Sequence, residues 1–368
     1  MSVDAVSRSA VSLTRIGVGG ERPYEVIVGG GALAALPSVV GRQARTVAVI
    51  HPAGLGQVAR PACEILRDAG YVVHAEAIPD GEAAKDIAVA AGLWSRLAAH
   101  RLGRRDAIVG VGGGAATDLA GFTAAAWLRG VRLVLVPTTL LAVVDAAVGG
   151  KTAVNIAEGK NLVGAFHPPA GVLADPAVLA SLPGEEYVSG LAEVIKAGFI
   201  ADPAILDLID ADPRGSARPG GPGERELIER AVRVKAAVVT ADLREAGPRE
   251  ILNYGHTLGH AIERVEGYRI RHGAAVSIGM VYAAAVARLA GRLDETTEKR
   301  HRAILAAVGL PTGYPPAAWP RLREAMAVDK KARAAALRLV VLDGLARPGI
   351  LNDPPEVLLE QAYAEVTG

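Results

Sequence analysis

Two histidines four residues apart stand in Asn253-Tyr254-Gly255-His256-Thr257-Leu258-Gly259-His260, and no other segment combines polar chemistry and glycine so densely. On a helix advancing about 100° per residue, Arg249, Asn253, His256 and His260 fall within an arc of about 60°. Four hydrogen-bonding side chains stacked in that way do not make a core stripe. A solvated polar face is the bland alternative, but Ile251, Leu252, Leu258 and Ile262 flank the arc closely. Gly255 and Gly259 each cost about 1 kcal/mol against alanine inside a helix, so something must approach closely there. A histidine pair at i, i+4 chelates one metal ion in H-E-x-x-H helices, yet the central glutamate is absent here. Glu193, in Ala192-Glu193-Val194-Ile195-Lys196, and His272, in Arg271-His272-Gly273, are further candidate ligands. Two imidazoles and one carboxylate with an open position suit a catalytic Zn²⁺. Spacing leaves open which two of the three histidines bind.

Two glycine-rich turns add phosphate-type chemistry. The run from Asp106 to Val111, followed by Gly112-Gly113-Gly114, reads as strand, turn and helix, and Gly110, Gly112 and Ala115 fit G-x-G-x-x-A spacing. Such a turn lets backbone approach a pyrophosphate, with free N–H groups at the helix N-terminus; a tight turn without ligand is the plainer reading. The acid expected about 20 residues on is missing, because that region reads Gly130-Val131-Arg132. Gly149-Gly150-Lys151-Thr152 resembles the end of a triphosphatase phosphate loop, but Asp145 stands where its first glycine belongs. The triphosphatase reading is rejected, although Lys151 and its glycines still suit a phosphate or cofactor contact.

Elements able to hold these groups are visible in the pattern. Residues 24–28, 46–50, 71–78, 107–111 and 131–136 are β-branched-rich runs, with helical spacing between several of them, as at 86–100 and 116–128. That alternation predicts an α/β N-terminal domain, residues 1–182, with a mainly parallel, Rossmann-like sheet covered by helices. From about residue 183 to 368 the pattern is mainly helical, at 185–199, 224–241, 250–265, 274–290 and 296–308, with a strand at 337–342. A cleft between the two domains is the natural place for the active site. The stretch 212–223, rich in Pro, Gly, Ser and Arg, reads as a surface loop.

Composition narrows the class further. The 368 residues carry a net charge of +1, which argues against a nucleic-acid partner. Cys63 is the only cysteine, which excludes a disulfide framework and a cysteine-built zinc site. The first twenty residues lack the apolar core of a signal peptide, and the apolar stretch 131–148 is too short and too polar to span a bilayer. A cytoplasmic globular protein without a membrane partner is expected.

The sequence closely resembles the 3-dehydroquinate synthases, a family of the sugar-phosphate cyclase group related to metal-dependent polyol dehydrogenases. The matching pieces run in order through nearly the whole chain: Asp80-Gly81-Glu82 with Lys85, Gly112-Gly113-Gly114 through Asp118, Pro137-Thr138-Thr139, and Val144-Asp145 into Gly149-Gly150-Lys151-Thr152. Gly159-Lys160-Asn161, Ala192 to Lys196, the histidine segment, Arg271-His272-Gly273 and Asp329-Lys330-Lys331 continue the series. Each piece is weak by itself, and the ordered series is highly specific.

The resemblance implies Glu193, His256 and His272 as ligands of Zn²⁺ or Co²⁺, and His260 as a substrate or proton-transfer residue. It also implies that Asp80, Gly81, Glu82, Ala83, Ala84 and Lys85 hold the adenosine end of NAD, which supplies the acid the first glycine turn lacks. Gly114, Ala115, Ala116, Thr117 and Asp118 would meet its pyrophosphate. Thr138, Thr139, Lys151, Lys160, Val178, Leu179, Ala180 and Ser181 would complete the cofactor contacts. Arg129, Asp145, Asn161, Lys196, Lys235, Glu245, Arg249, Asn253 and either Lys330 or Lys331 match residues around the substrate, with Lys151 again among those in contact with it. Two departures stand out. Ala274 replaces the Glu that many members carry after the His-Gly of the third ligand motif, which alters the groups behind the metal. Pro248 replaces an apolar residue before Arg249, a tolerable change in the first turn of a helix.

The implied substrate is a phosphorylated keto acid, 3-deoxy-D-arabino-heptulosonate 7-phosphate, and the implied product is 3-dehydroquinate, in the shikimate pathway to chorismate and the aromatic amino acids. The implied course is transient oxidation by NAD, β-elimination of phosphate, re-reduction, ring opening and aldol closure. A homodimer is part of the same expectation. The alternatives are a cyclase for a neutral sugar phosphate, a simple polyol dehydrogenase, and a binding module with a structural zinc. Arg249 and the lysines favour a substrate that carries both carboxylate and phosphate.

Overall fold

The computed structural model describes residues 13–245, 247–333 and 337–367, with the side chains of 328–333 excepted. The chain forms two compact units, Met1–Ser181 and Leu182–Gly368.

In the first unit the strands are β1 (Thr14–Val18), β2 (Tyr24–Val28), β3 (Thr46–Pro52), β4 (Val72–Ile78), β5 (Ala107–Gly112), β6 (Arg132–Pro137), β7 (Lys151–Ile156), β8 (Gly159–Phe166) and β9 (Gly171–Ala174). The helices are α1 (Leu36–Val40), α2 (Gly56–Asp68), α3 (Ile87–Ala99) and α4 (Gly114–Ala126). Seven strands form one sheet in the order β1-β2-β9-β6-β5-β3-β4, parallel throughout except for β1, which runs antiparallel to β2. The β5 run Ala-Ile-Val-Gly-Val-Gly is buried at every position, as a strand covered on both faces must be. Alternate residues divide the two faces. Val47, Val49, Val109 and Val111 join Leu36, Cys63 and Leu66 of α1 and α2 in one core. Gly110 faces the other way, where a Cβ would lie 2.6 Å from that of Ala120 on α4.

The sheet thus has the expected mainly parallel form, but four strands carried too little pattern to be read from sequence. β7 and β8 form a separate antiparallel hairpin with a bulge at Asn155, and β8 lies largely exposed, so no apolar alternation marks it. β9 has four residues, and β1 has a single buried side on an edge.

The second unit contains α5 (Gly184–Ile200), α6 (Ala204–Ala211), α7 (Pro213–Ser216), α8 (Glu224–Ala241), α9 (His256–Val265), α10 (His272–Leu289), α11 (Glu295–Ala307), α12 (Trp319–Arg333) and α13 (Glu356–Val366). A small antiparallel pair, β10 (Arg338–Leu342) and β11 (Pro348–Asn352), completes it. The expected loop at 212–223 contains the short α7, where the Asp212 carboxylate accepts from Gly215 N at 2.9 Å. α10 is packed by α5, α9, α11 and α13. It is the one helix among the described residues long and apolar enough to cross a membrane, yet 78% of it is buried inside the unit, as befits a core helix.

One expectation is corrected. The segment 250–265 is not a single helix: Pro248–Asn253 forms a 3-10 turn, the chain breaks at Tyr254-Gly255, and α9 begins at His256. Gly255 takes a left-handed φ of 79°, which favours glycine and ends any continuous helix. Arg249 and Asn253 therefore do not share a helix face with His256 and His260.

Candidate active site

Glu193 is anchored on α5, a helix buried along nearly its whole length, and the residue is only 4% exposed. Two glycines bring the histidines to it. A Cβ on Gly273 would run into the backbone of Ser189 on α5, and Gly273 N donates to Ser189 Oγ at 3.1 Å. His272, the first residue of α10, is thereby seated against α5. A Cβ on Gly255 would lie 2.9 Å from Met280 N and 3.0 Å from Val276 O, so only glycine lets the start of α9 lie against α10. A Cβ on Gly259 would likewise lie 3.2 Å from Ala275 O, so the close approach inferred from Gly255 and Gly259 is real, and it is to α10.

The resulting geometry could hold a metal ion. Ligand atoms of Glu193, His256 and His272 all lie within 4.8 Å of one another. Glu193 Oε2 is ion-paired with Lys196 Nζ, one helical turn along. Glu193 Oε1 is buried without a hydrogen-bond partner, 3.6 Å from His256 Nε2 and 3.5 Å from His272 Nε2. His256 Nδ1 donates to the carbonyl of Tyr254 at 3.1 Å, and a carbonyl can only accept, so its proton sits on Nδ1. His272 Nδ1 donates to Glu263 Oε1 at 3.2 Å. Both Nε2 atoms are thus turned toward the orphan oxygen with their outer nitrogens tied, the arrangement metal-binding imidazoles adopt. An orphaned buried carboxylate oxygen with two such nitrogens fits a divalent cation with an open coordination position.

The electrostatics agree. Burial alone would raise the Glu193 carboxyl, but Lys196 and the two imidazoles hold it well below the usual range, so it is anionic. Burial and Lys196 push His256 well below its ordinary value. Burial also opposes charge on His272, but the carboxylates of Glu193 and Glu263 raise it to about 10. A cation between the three groups would take the place of that proton.

Around this trio the His260 ring lies 5.1 Å from His256 and 6.3 Å from His272. A second polar group sits on 242–253: Arg249 is buried, its guanidinium donates to Leu243 O at 2.6 Å, and Asn253 Nδ2 donates to Glu245 Oε1 at 2.9 Å. Pro248 opens the 3-10 turn, so Arg249 is positioned there and not in a helical first turn. Lys235 is buried on α8. The side chain of Lys330 lies outside the described residues, as does that of Lys331. Glu263 and the Tyr254 carbonyl were not anticipated. Glu263 had a usable signal, since it lies seven residues after His256 and three after His260, on the same helix face.

In the first unit Lys85 meets Asp118 and Glu82 meets Lys160 among the anticipated cofactor residues. Buried Lys85 donates to Asp118 and Asn161, each at 2.5 Å, which draws Asn161 to the same cluster. Burial raises the Asp118 carboxyl despite Lys85. Glu82 accepts from Asn155 at 2.7 Å and pairs with Lys160 at 3.3 Å. Asp80 accepts from Gly54 N at 3.0 Å. Gly112 has φ 151° and would clash with Ala116 through any Cβ, so the turn after β5 draws α4 close and leaves backbone at its tip. Ala83, Ala84 and Gly81 form the 3-10 turn Gly81–Lys85, and Thr138 N donates to Gly112 O at 2.9 Å. Thr139 Oγ1 accepts from Ala142 N, Asp145 lies in a π-helical turn, and Val178, Leu179, Ala180 and Ser181 lie in the 3-10 turn Pro176–Ser181. Arg129 is exposed with φ 67°, and Lys151 opens β7.

A parallel sheet with a glycine turn, in one chain with a buried carboxylate–imidazole trio, defines a metal-site enzyme built on a nucleotide-binding type of fold. Residues 75–189 match the 3-dehydroquinate synthase N-terminal family and residues 190–332 the 3-dehydroquinate synthase C-terminal family. The chain is 65% identical to 3-dehydroquinate synthase of Thermobifida fusca, over 97% of this chain and 98% of that one. Among solved structures, 2-deoxy-scyllo-inosose synthase complexed with carbaglucose-6-phosphate, NAD⁺ and Co²⁺ is 28% identical with a TM-score of 0.85, over 96% of this chain and 100% of that one. The 2-epi-5-epi-valiolone synthase of Streptomyces hygroscopicus subsp. jinggangensis, with NAD⁺ and Zn²⁺ bound, is 26% identical with a TM-score of 0.85, over 96% of this chain and 99% of that one. The chain belongs to the 3-dehydroquinate synthase family.

Proposed function

We propose that this chain converts 3-deoxy-D-arabino-heptulosonate 7-phosphate to 3-dehydroquinate and inorganic phosphate, as an NAD- and metal-dependent carbon–oxygen lyase of the shikimate pathway. The observation that carries the reading is the orphaned Glu193 Oε1 facing two imidazole Nε2 atoms, in a chain 65% identical over nearly its full length to a 3-dehydroquinate synthase.

Glu193, His256 and His272 would hold the metal, Zn²⁺ or Co²⁺, and the Gly81–Lys85 turn with the start of α4 would hold NAD. When bound, the dinucleotide supplies a reversible oxidation at one substrate carbon, and the cation supplies Lewis acidity toward adjacent hydroxyls. Every other task falls to side chains. Lys196 neutralises the outer oxygen of Glu193 and keeps that carboxylate anionic. His260, beside His256 but outside the trio, is placed to take a hydroxyl proton. Arg249 suits the planar substrate carboxylate, while Lys151 and Lys235 suit the phosphate as charge builds on leaving. Asp145, Asn161, Glu245, Asn253, Arg129 and Lys330 or Lys331 orient hydroxyls and the phosphate around them. A homodimer in the cytoplasm accords with this reading, and the mass in solution tests its first half.

Incubation with the heptulosonate phosphate, catalytic NAD⁺ and Zn²⁺ should release inorganic phosphate with no net NADH. Net NADH from a polyol, or no turnover with any sugar, would overturn the proposal.

A further inference from the structure

A cavity of about 350 Å³ in the first unit has no part in the reaction above. It is lined by Arg22, Arg104, Arg132 and His167, with Pro168 and Pro169 among its apolar walls. Topology collects these cations. Arg22 precedes β2, Arg104 precedes β5 and Arg132 is the first residue of β6, and all three strands run in the same direction in one sheet. The arginines therefore meet at the N-terminal end of that sheet, opposite the end where the Gly112 turn lies. Among the described residues no acidic side chain lines the cavity.

Each polar group there is held in place or left open toward a ligand. Arg132 Nε donates to Val39 O at 2.7 Å, which fixes the plane of its guanidinium and leaves its other N–H groups for a ligand. Neither Arg22 nor Arg104 has a carboxylate partner among the described residues. His167 is 7% exposed, and its Nε2 donates to Val131 O at 2.9 Å, which leaves Nδ1 as the ring atom still able to bind. Burial lowers the pKa of His167, against the bond to Val131 O, and the charge of Arg22 acts in the same direction as burial. Three arginines on one cavity wall, with no acid beside them, leave positive charge that an anion would offset.

We propose that this cavity binds a phosphate dianion, either inorganic phosphate or the head of a small phosphomonoester. Arginine forks match phosphate oxygens in pairs, and a single carboxylate would leave two of the three forks without a partner. The volume lies at the small end of ligand sites, and the proline walls offer nothing for a large polar body. The inference is independent of the metal-site reading.

Equilibrium dialysis of the full-length, metal- and NAD-loaded protein with radiolabelled inorganic phosphate tests it. Wild type should show one more class of phosphate site than Arg22→Ser/Arg104→Ser, and the single Arg104→Gln should weaken that class roughly tenfold. Turnover should be unchanged in both variants, because neither arginine belongs to the catalytic set. Glycerol 3-phosphate is the second probe: tighter binding than inorganic phosphate assigns the site to a phosphomonoester, weaker binding assigns it to the free ion. In wild type the His167 imidazole, followed by NMR, should titrate at higher pH once phosphate is bound. Equal stoichiometry and affinity in wild type and both variants, or a His167 titration unmoved by phosphate, would overturn the proposal.

Discussion

Buried Lys85 in the first unit is met on both sides, by Asp118 and Asn161 at 2.5 Å each, whereas buried Glu193 in the second unit has one oxygen on Lys196 and the other facing two imidazoles without a hydrogen bond. A closed network is satisfied without a ligand. An orphaned buried acceptor costs about 1–3 kcal/mol, a cost that a cation bound between Glu193 and the two imidazoles would relieve. The contrast separates two ways of building a binding site. On the proposed reading the first unit would offer a dinucleotide a shape, made by Gly112 and the Gly81–Lys85 turn, with polar groups already fixed by one another. On the same reading the second unit would offer a cation the unpaired oxygen of Glu193, with the helices around it packed closely at Gly255 and Gly273.

Breaking the second arrangement should have the largest effect. His272→Ala, with the fold intact, should lose the bound zinc and with it at least about 10³-fold in turnover; an inactive variant with full zinc would remove His272 from the ligand set. His260→Ala tests the other histidine. It should lose about 10²–10⁴-fold in rate while metal analysis still finds full zinc, and stoichiometric zinc loss would restore the i, i+4 chelate. Glu263→Ala should weaken zinc about 10–100-fold in competition with a chelator, with Glu263→Gln recovering most of it, because the amide oxygen can still accept from His272 Nδ1.

The first unit should respond differently. Lys85→Met should raise the KM for NAD⁺ by about tenfold or more through the lost charge-assisted bonds, and leave zinc content untouched. A fall in zinc would mean that the two sites are not separable in this way.

The smallest effect concerns packing alone. His301 is fully buried, stacked on Phe199, and donates from Nδ1 to Thr297 O while Nε2 accepts from Tyr254 Oη. Burial pushes its pKa down to about 4. The unfolded chain takes up this proton near pH 6.5, so its contribution is complete above that pH and is lost progressively as pH falls toward about 4, by at most about 3 kcal/mol. Denaturant titrations should show a shallower acid loss in His301→Gln than in wild type, and identical pH profiles would place the effect elsewhere.

The sequence by itself determined the sheet strands at 24–28 and 107–111, because short β-branched-rich runs, buried at every position but Glu25, fit a covered sheet. It also pointed to a close approach at Gly255 and Gly259, because glycine there works against a stable helix unless another element needs the space. It did not reveal the hairpin of β7 and β8, whose exposed face has no pattern, nor the break at Gly255, where long-range contact with Met280 and Val276 overrides a helical periodicity. Nor could spacing choose among three histidines or find Glu263 behind His272. Those outcomes depend on α9 and α10 being packed against each other and α10 against α5, and only the tertiary structure decides which nitrogen of which ring faces the unpaired oxygen of Glu193.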